Sequence, residues 1–336
     1  MTKIIQSILL IIVLAILVYP AKTVSFPDLK KPVGIEVDKD GIYINDSMTI
    51  SIYSPKDFHL VKRFGKSGEG PQEFKQYVNL HVQPDLLVIS SLTKVSFFSK
   101  PGDFIKEIRV PKGWTYKPVG KNFAANDFTQ EGKTLYKAVY LFDSKFEKIK
   151  ELSRKEFPFQ QAQGRFRVYE TPVDYWTEDN KVFLSGKEDF IIDVFDGDGN
   201  PLAPVKEDYE KIRLSETYKN AIYDFFKTDP YYKPRYEWYK QQLVFPDHLP
   251  AIRSFFISQQ MLFVRTYRKE KDQTEFYIFD MKGRRIGKQF LPIIEKNVLS
   301  SFPFWIYDGK LYRLNDNTET ESWELVVTHL SIFKEE

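Results

Sequence analysis

The chain has no cysteine. That absence excludes disulfide staples, thiolate metal sites, a cysteine nucleophile and a lipid-modified cysteine behind a leader segment. Without cross-links, 336 residues must hold their fold by burying a core, and this length suffices for one large all-β domain. A large excess of either charge is missing too: 49 basic and 46 acidic residues leave a net charge of +3, with no long single-sign run. Such a mixed surface cannot supply the counterion release that drives nucleic-acid binding, so no nucleic-acid partner is expected. The four histidines, His59, His81, His248 and His329, have no i, i+4 pairing. No Gly-x-Ser-x-Gly phrase, Walker loop or dinucleotide fingerprint occurs. Gly65-Lys66-Ser67-Gly68-Glu69-Gly70 leads into polar residues and Phe74 rather than an apolar helix, and reads as a turn between strands.

What the chain does have is a recurring phrase. It reads Ile50-Ser51-Ile52-Tyr53-Ser54, Val95-Ser96-Phe97-Phe98-Ser99, Val139-Tyr140-Leu141-Phe142-Asp143, Ile192-Asp193-Val194-Phe195-Asp196 and Tyr277-Ile278-Phe279-Asp280. The aromatics Tyr53, Phe98, Phe142, Phe195 and Phe279 are 45, 44, 53 and 84 residues apart. A strand-built repeat of about 40–50 residues signals a propeller or solenoid. Each phrase follows another β-rich run, such as Ile42-Tyr43-Ile44, Leu86-Leu87-Val88-Ile89, Val182-Phe183-Leu184 or Leu262-Phe263-Val264. Each is followed by hairpin-turn chemistry, as in Asp196-Gly197-Asp198-Gly199 and Asp280-Met281-Lys282-Gly283. A weaker unit from Trp323 to Ile332 supplies a sixth repeat. The ring is expected to close by pairing a strand near Val24–Ile35 with that last unit, which removes exposed sheet edges.

The long interval is explained by residues 206–246, which read as helix and loop. Ser215 offers an N-cap, and Tyr218, Ala221, Ile222 and Phe225 follow at helical spacing before Asp229-Pro230; a second short helix is expected from Pro234 to Leu243.

Phe64-Gly65-Lys66-Ser67-Gly68-Glu69-Gly70-Pro71-Gln72-Glu73-Phe74, set after Gly41-Ile42-Tyr43-Ile44-Asn45-Asp46 and Ile52-Tyr53-Ser54, resembles the inter-blade phrase of NHL-like six-bladed β-propellers. The phrase decays elsewhere, as in Val110-Pro111-Lys112-Gly113-Trp114. The resemblance implies an all-β fold: a six-bladed β-propeller over residues 22–336, with a helical insertion (206–246) between blades 4 and 5. This fold hosts binding proteins and unrelated enzymes, so the resemblance does not by itself select an activity.

Met1-Thr2-Lys3 and the apolar run Ile4 to Val18, broken only by Gln6 and Ser7 and followed by Tyr19-Pro20-Ala21, resemble a signal peptide. Residues 1–21 are therefore expected to be a signal peptide or N-terminal anchor, with the protein extracytoplasmic, periplasmic or secreted. The run falls short of the roughly 20 residues that span a bilayer, so membrane contact is expected only through an uncleaved segment at residues 4–19.

No metal or cofactor is expected. Asp196, Asp198, Asn200 and Glu207 occupy positions 1, 3, 5 and 12 of an EF-hand loop, but Pro201 stands where that loop needs glycine. A hairpin turn explains them. The richest candidate surface is aromatic: Tyr231, Tyr232, Tyr236, Trp238 and Tyr239 crowd the insertion beyond what packing one blade requires. These five are the expected binding residues. The expected role is a non-catalytic binding or scaffold protein of the bacterial cell envelope, recognising a protein or glycan through a propeller face and the aromatic insertion. The alternative is an enzyme resembling the calcium-dependent lactonases, hydrolases or lyases of this fold.

Overall fold

The computed structural model describes residues 21–76, 78–110, 115–160 and 164–330. The leader-like residues 1–20, most of the decayed phrase (111–114) and the last residues of the sixth repeat lie outside that range. Among the described residues, strands dominate and form six four-stranded antiparallel sheets at 32–64, 78–109, 116–156, 175–206, 254–291 and 304–329. They are numbered here one to six. The sixth contributes only three strands of its own; its outer strand is Lys22–Phe26, which pairs antiparallel with Ser322–His329 so that Val24 faces Leu325.

The sequence of the strands explains their order in each sheet. Second strands such as Ile42–Asp46 and Leu86–Ser91 are apolar on both faces and almost wholly buried, which fits a sheet covered on both sides. Fourth strands such as Leu60–Phe64 and Phe104–Arg109 are largely exposed and form the outer edge. The first strands lie innermost, each beside a neighbouring sheet. Apolar clusters follow the same ring. Tyr43, Ile52, Leu87 and Phe98 join sheets one and two; Val88, Phe97, Tyr116 and Phe142 join two and three; Val139, Leu141, Val182 and Leu184 join three and four. Phe183, Ile192, Leu262 and Phe279 join four and five, and a last cluster with Ile42, Phe263, Leu311 and Leu325 binds five, six and one together. The arrangement is propeller-like. Of the recurring aromatics, Tyr53, Phe98, Phe142 and Phe279 are buried, whereas Phe195 is only half-buried.

The glycine phrase links sheet one to sheet two. Gly65 has φ +87°, and a Cβ there would lie 2.5 Å from the Phe74 ring and 2.8 Å from the Met48 carbonyl oxygen. Its hydrogen lets Phe74 fold into the inter-sheet core, where that ring is fully enclosed.

Between sheets four and five the chain leaves the ring. Helix α1 (Glu216–Thr228) buries Ile222 and Phe226, and helix α2 (Tyr236–Gln242) buries Tyr239. They pack with Phe166, Val168 and Tyr169, whose strand Arg165–Arg167 runs parallel to Leu243–Val244, giving a small second layer on the sheets. Among the described residues no helix is long and apolar enough to cross a membrane.

Candidate functional site

Glu36, His81, Lys117, Trp176, Phe256 and Trp305 sit one on each first strand. Each occupies the same register, opposite Tyr43, Val88, Ala124, Phe183, Phe263 and Tyr312 on the second strands. A residue one place earlier or later would point into the sheet-to-sheet packing, because side chains alternate along a strand. Their side chains therefore meet at the ring's centre. His81 of sheet two lies edge-on to Trp176 of sheet four, with ring centroids 5.2 Å apart, and its Nε2 is 3.3 Å from Thr177 Oγ1. Trp176 in turn lies 5.6 Å from Trp305 of sheet six, which packs on Phe256 at 4.9 Å. Lys117 Nζ stands 3.5 Å over the Trp176 ring and donates to the Tyr175 carbonyl at 3.0 Å.

This centre is polar on one side and aromatic on the other, and its electrostatics follow from burial. Glu36 accepts the Val82 N–H at 2.9 Å, yet desolvation raises its carboxyl well above the usual range, only partly opposed by that bond and by Lys117 and Lys100. Lys117 is pushed down by the same desolvation, opposed by Asp174 and Glu36. Burial and the neighbouring Lys117 charge together hold His81 well below 6.5, as a neutral imidazole. Its Nδ1 is buried without a hydrogen-bond partner.

One mouth of the centre opens into a cleft of about 790 Å³. Trp176, Phe256, Trp305 and Glu36 form its floor, and Phe302 and Phe304 form a wall. Lys31, Asn45, Ser47, Gln76 and Asn79 supply a polar margin. Asn45 donates to the Val78 carbonyl at 2.6 Å, leaving its buried Oδ1 unpartnered. A largely apolar cleft with a few fixed polar groups suits a small or extended ligand. Among the described residues no three His, Cys, Asp or Glu side chains gather as they would to hold an ion.

The five aromatics singled out in the insertion share one region but not one environment. Tyr231 is 75% exposed and Trp238 40%, while Tyr239 is 8% exposed and packs on Phe166 and Phe226. Tyr232 and Tyr236 are half-buried against the same cluster. Tyr231 and Trp238 thus offer surface, and Tyr239 chiefly holds the layer together. At Asp196-Gly197-Asp198-Gly199-Asn200, Asp196 Oδ2 accepts the Asn200 side-chain amide and its Oδ1 accepts the N–H groups of Asp198 and Asn200, so the carboxylate is occupied by its own turn and held low, first by the Asn200 side chain and then by the backbone bonds. Asp280 does the same for Lys282 and Arg284. His59 is exposed and bound to Asp57 at 2.7 Å, and His248 and His329 are exposed elsewhere.

No protein-family model matches the chain, and no curated protein sequence matches it. Among solved structures it is similar to a Bacteroides fragilis protein classed by name as exported, at 14% identity and a TM-score of 0.52, over 92% of this chain and 95% of that one. It is also similar to a DUF4221 family member from Bacteroides vulgatus, at 12% identity and a TM-score of 0.47, covering 93% and 96% of the two chains. Hsv2 of Kluyveromyces lactis is similar at 10% identity and a TM-score of 0.38, over 89% and 98%. The first of these likenesses bears on the fold alone.

Proposed function

We propose that this chain is an exported six-bladed β-propeller of the NHL-like kind that binds a glycan of the bacterial cell envelope without transforming it. The observation that carries the reading is the axial cleft, whose floor is Trp176, Phe256 and Trp305 and whose margin is polar. Aromatic faces recessed in a cleft favour a slender chain over a broad protein surface. Tyr231, Tyr232, Tyr236, Trp238 and Tyr239 of the helical layer extend the binding face, with the exposed Tyr231 and Trp238 making contact and Tyr239 supporting them. A leader-like amino terminus agrees with an extracytoplasmic site of action.

The test is a tryptophan-fluorescence titration of the full chain with lysozyme-released muropeptides and with lipopolysaccharide-derived polysaccharide, using dextran as control. Saturable binding of one envelope glycan is expected. Trp176→Leu should weaken it at least tenfold, about 1.4 kcal/mol, and Trp238→Ala should weaken it less while leaving the melt unchanged. No saturable binding, or binding indifferent to both substitutions, overturns the reading.

One observation favours a second reading, an enzyme. Glu36 is a buried carboxyl held neutral beside Lys117 at the cleft floor, an arrangement suited to proton transfer. Turnover of a bound glycan, abolished by Glu36→Gln with binding retained, would establish it.

A further inference from the structure

A second cleft, of about 540 Å³, lies between sheets three and five, walled by the connecting residues 157–159 and 167–173 on which the helical layer packs. Its walls are built from like-charged neighbours. Lys137 and Lys155 face each other directly across the pairing of the third and fourth strands of sheet three. Just before the first strand of sheet five, Arg253 donates its backbone N–H to the Arg265 carbonyl at 2.8 Å, and both arginines line the cleft and reach Glu295. Like charges placed opposite each other on a sheet are destabilising, so the Lys137/Lys155 pair, with two arginines converging on the same cavity, calls for an explanation beyond folding.

Partners within the protein offset this charge only in part. Glu295 takes both nitrogens of Arg253 at 2.6 and 2.7 Å and also Arg265 at 2.8 Å and Lys269 at 3.4 Å, so one carboxylate answers three cations. Lys155 reaches Glu188 at 2.9 Å, and Arg167 is balanced by Glu156 and Glu170. Lys137 makes no ion pair among the described residues. Arg265 is 3% exposed, and its Nε has no hydrogen-bond partner. Burial, then the Arg253 charge beside it, lowers its pKa to about 10. A buried guanidinium with an unused donor, facing a cavity whose cations outnumber its carboxylates, is an environment lacking an anion. Tyr169 and Tyr267 give the cleft an apolar wall, with Arg253 stacked 5.2 Å from the Tyr267 ring.

We propose that this cleft is a binding site for a small hydroxylated anion, its carboxylate or phosphate group held between the Lys137/Lys155 and Arg253/Arg265 pairs and its body laid against Tyr169 and Tyr267. The cavity has room for one or two sugar rings. The inference does not depend on what fills the axial cleft, because the two clefts share only Ser301 in their linings.

The test is isothermal titration of the full chain at low ionic strength with glucuronate, glucose 6-phosphate, inorganic phosphate and neutral glucose. Saturable binding of glucuronate or of glucose 6-phosphate is expected, with glucose at least tenfold weaker and affinity falling as salt is added. Binding of glucuronate alone assigns a carboxylate ligand, glucose 6-phosphate alone a phosphate ligand, and both together a general oxyanion site. Lys137→Gln should weaken the bound probe at least tenfold and Lys137→Arg should restore it, while Trp176→Leu should leave it unchanged. Lys155→Gln serves as the second variant should Lys137→Gln fail to fold. Equal affinity for glucose and glucuronate overturns the proposal. So do binding of inorganic phosphate alone, binding indifferent to Lys137→Gln, and no binding of any anionic probe.

Discussion

His81 gives a stability experiment that probes the ring's centre. Its imidazole is 3% exposed, lies against Trp176 and is held neutral in the folded chain, first by burial and then by Lys117. In the unfolded chain it would protonate around its ordinary 6.5. A depressed folded pKa on a base means that the unfolded state binds the extra proton as pH falls. Stability is therefore full above about 6.5 and is lost below it, at about 1.4 kcal/mol per pH unit for one proton. Between pH 6.5 and 4.5 the loss assigned to this group comes to about 2–3 kcal/mol. His81→Gln cannot take up that proton, and its amide can still reach Thr177 Oγ1. Urea unfolding followed by tryptophan fluorescence at pH 8, 6.5, 5.5 and 4.5 would give both stability curves, with contributions from Glu36 and the surface carboxylates largely cancelling in their difference. The gap between variant and wild type should swing toward the variant by about 2 kcal/mol or more across the acid range. A gap that stays flat within about 0.5 kcal/mol, an ordinary surface-substitution change, would mean that the folded chain protonates His81 freely and that the axis is wet.

Three further outcomes follow from the same packing. Burial raises the Glu36 carboxyl, so its ionisation opposes folding as pH rises above the usual carboxylate range; Glu36→Gln, which keeps an acceptor for the Val82 N–H, should gain on wild type between pH 5 and 8 in urea unfolding. Phe98→Ala removes a fully enclosed ring and should cost about 3–5 kcal/mol, whereas Phe195→Ala, at a half-buried position, should cost less than half as much by the same assay. A chain beginning at residue 27 loses the Lys22–Phe26 strand and the Phe26 ring stacked 4.1 Å from Tyr53, and its melting temperature should fall by about 10 °C.

Strand content was legible because it depends on local chemistry. Runs such as Ile42-Tyr43-Ile44 are apolar on both faces, and turns such as Asp280-Met281-Lys282-Gly283 carry their own hydrogen-bonding carboxylate. Helix α1 was legible from the spacing of Tyr218, Ile222 and Phe225, although the most buried positions prove to be Ile222 and Phe226. The central residues were not legible. Glu36, His81 and Lys117 stand dozens of residues apart in strands otherwise unremarkable, and only ring closure brings them together. One signal was available: counting three paired positions back from each first hairpin lands on these residues in every sheet. The second cleft was hidden for a similar reason, since the Lys137/Lys155 pairing depends on the register of a long hairpin and Arg253 and Arg265 come from just before another sheet and from within it. Composition pointed instead to the insertion's tyrosines, where burial of Tyr239 divides structural from exposed aromatics.

The most direct test of the binding account is hydrogen exchange by mass spectrometry on the full chain, with and without saturating amounts of the envelope glycan that binds tightest in the fluorescence titration. The account predicts added protection in 33–36, 78–82 and 301–305, the segments that line the axial cleft. Protection confined to outer strands such as Leu60–Phe64 and Phe104–Arg109, or no change anywhere, would contradict it.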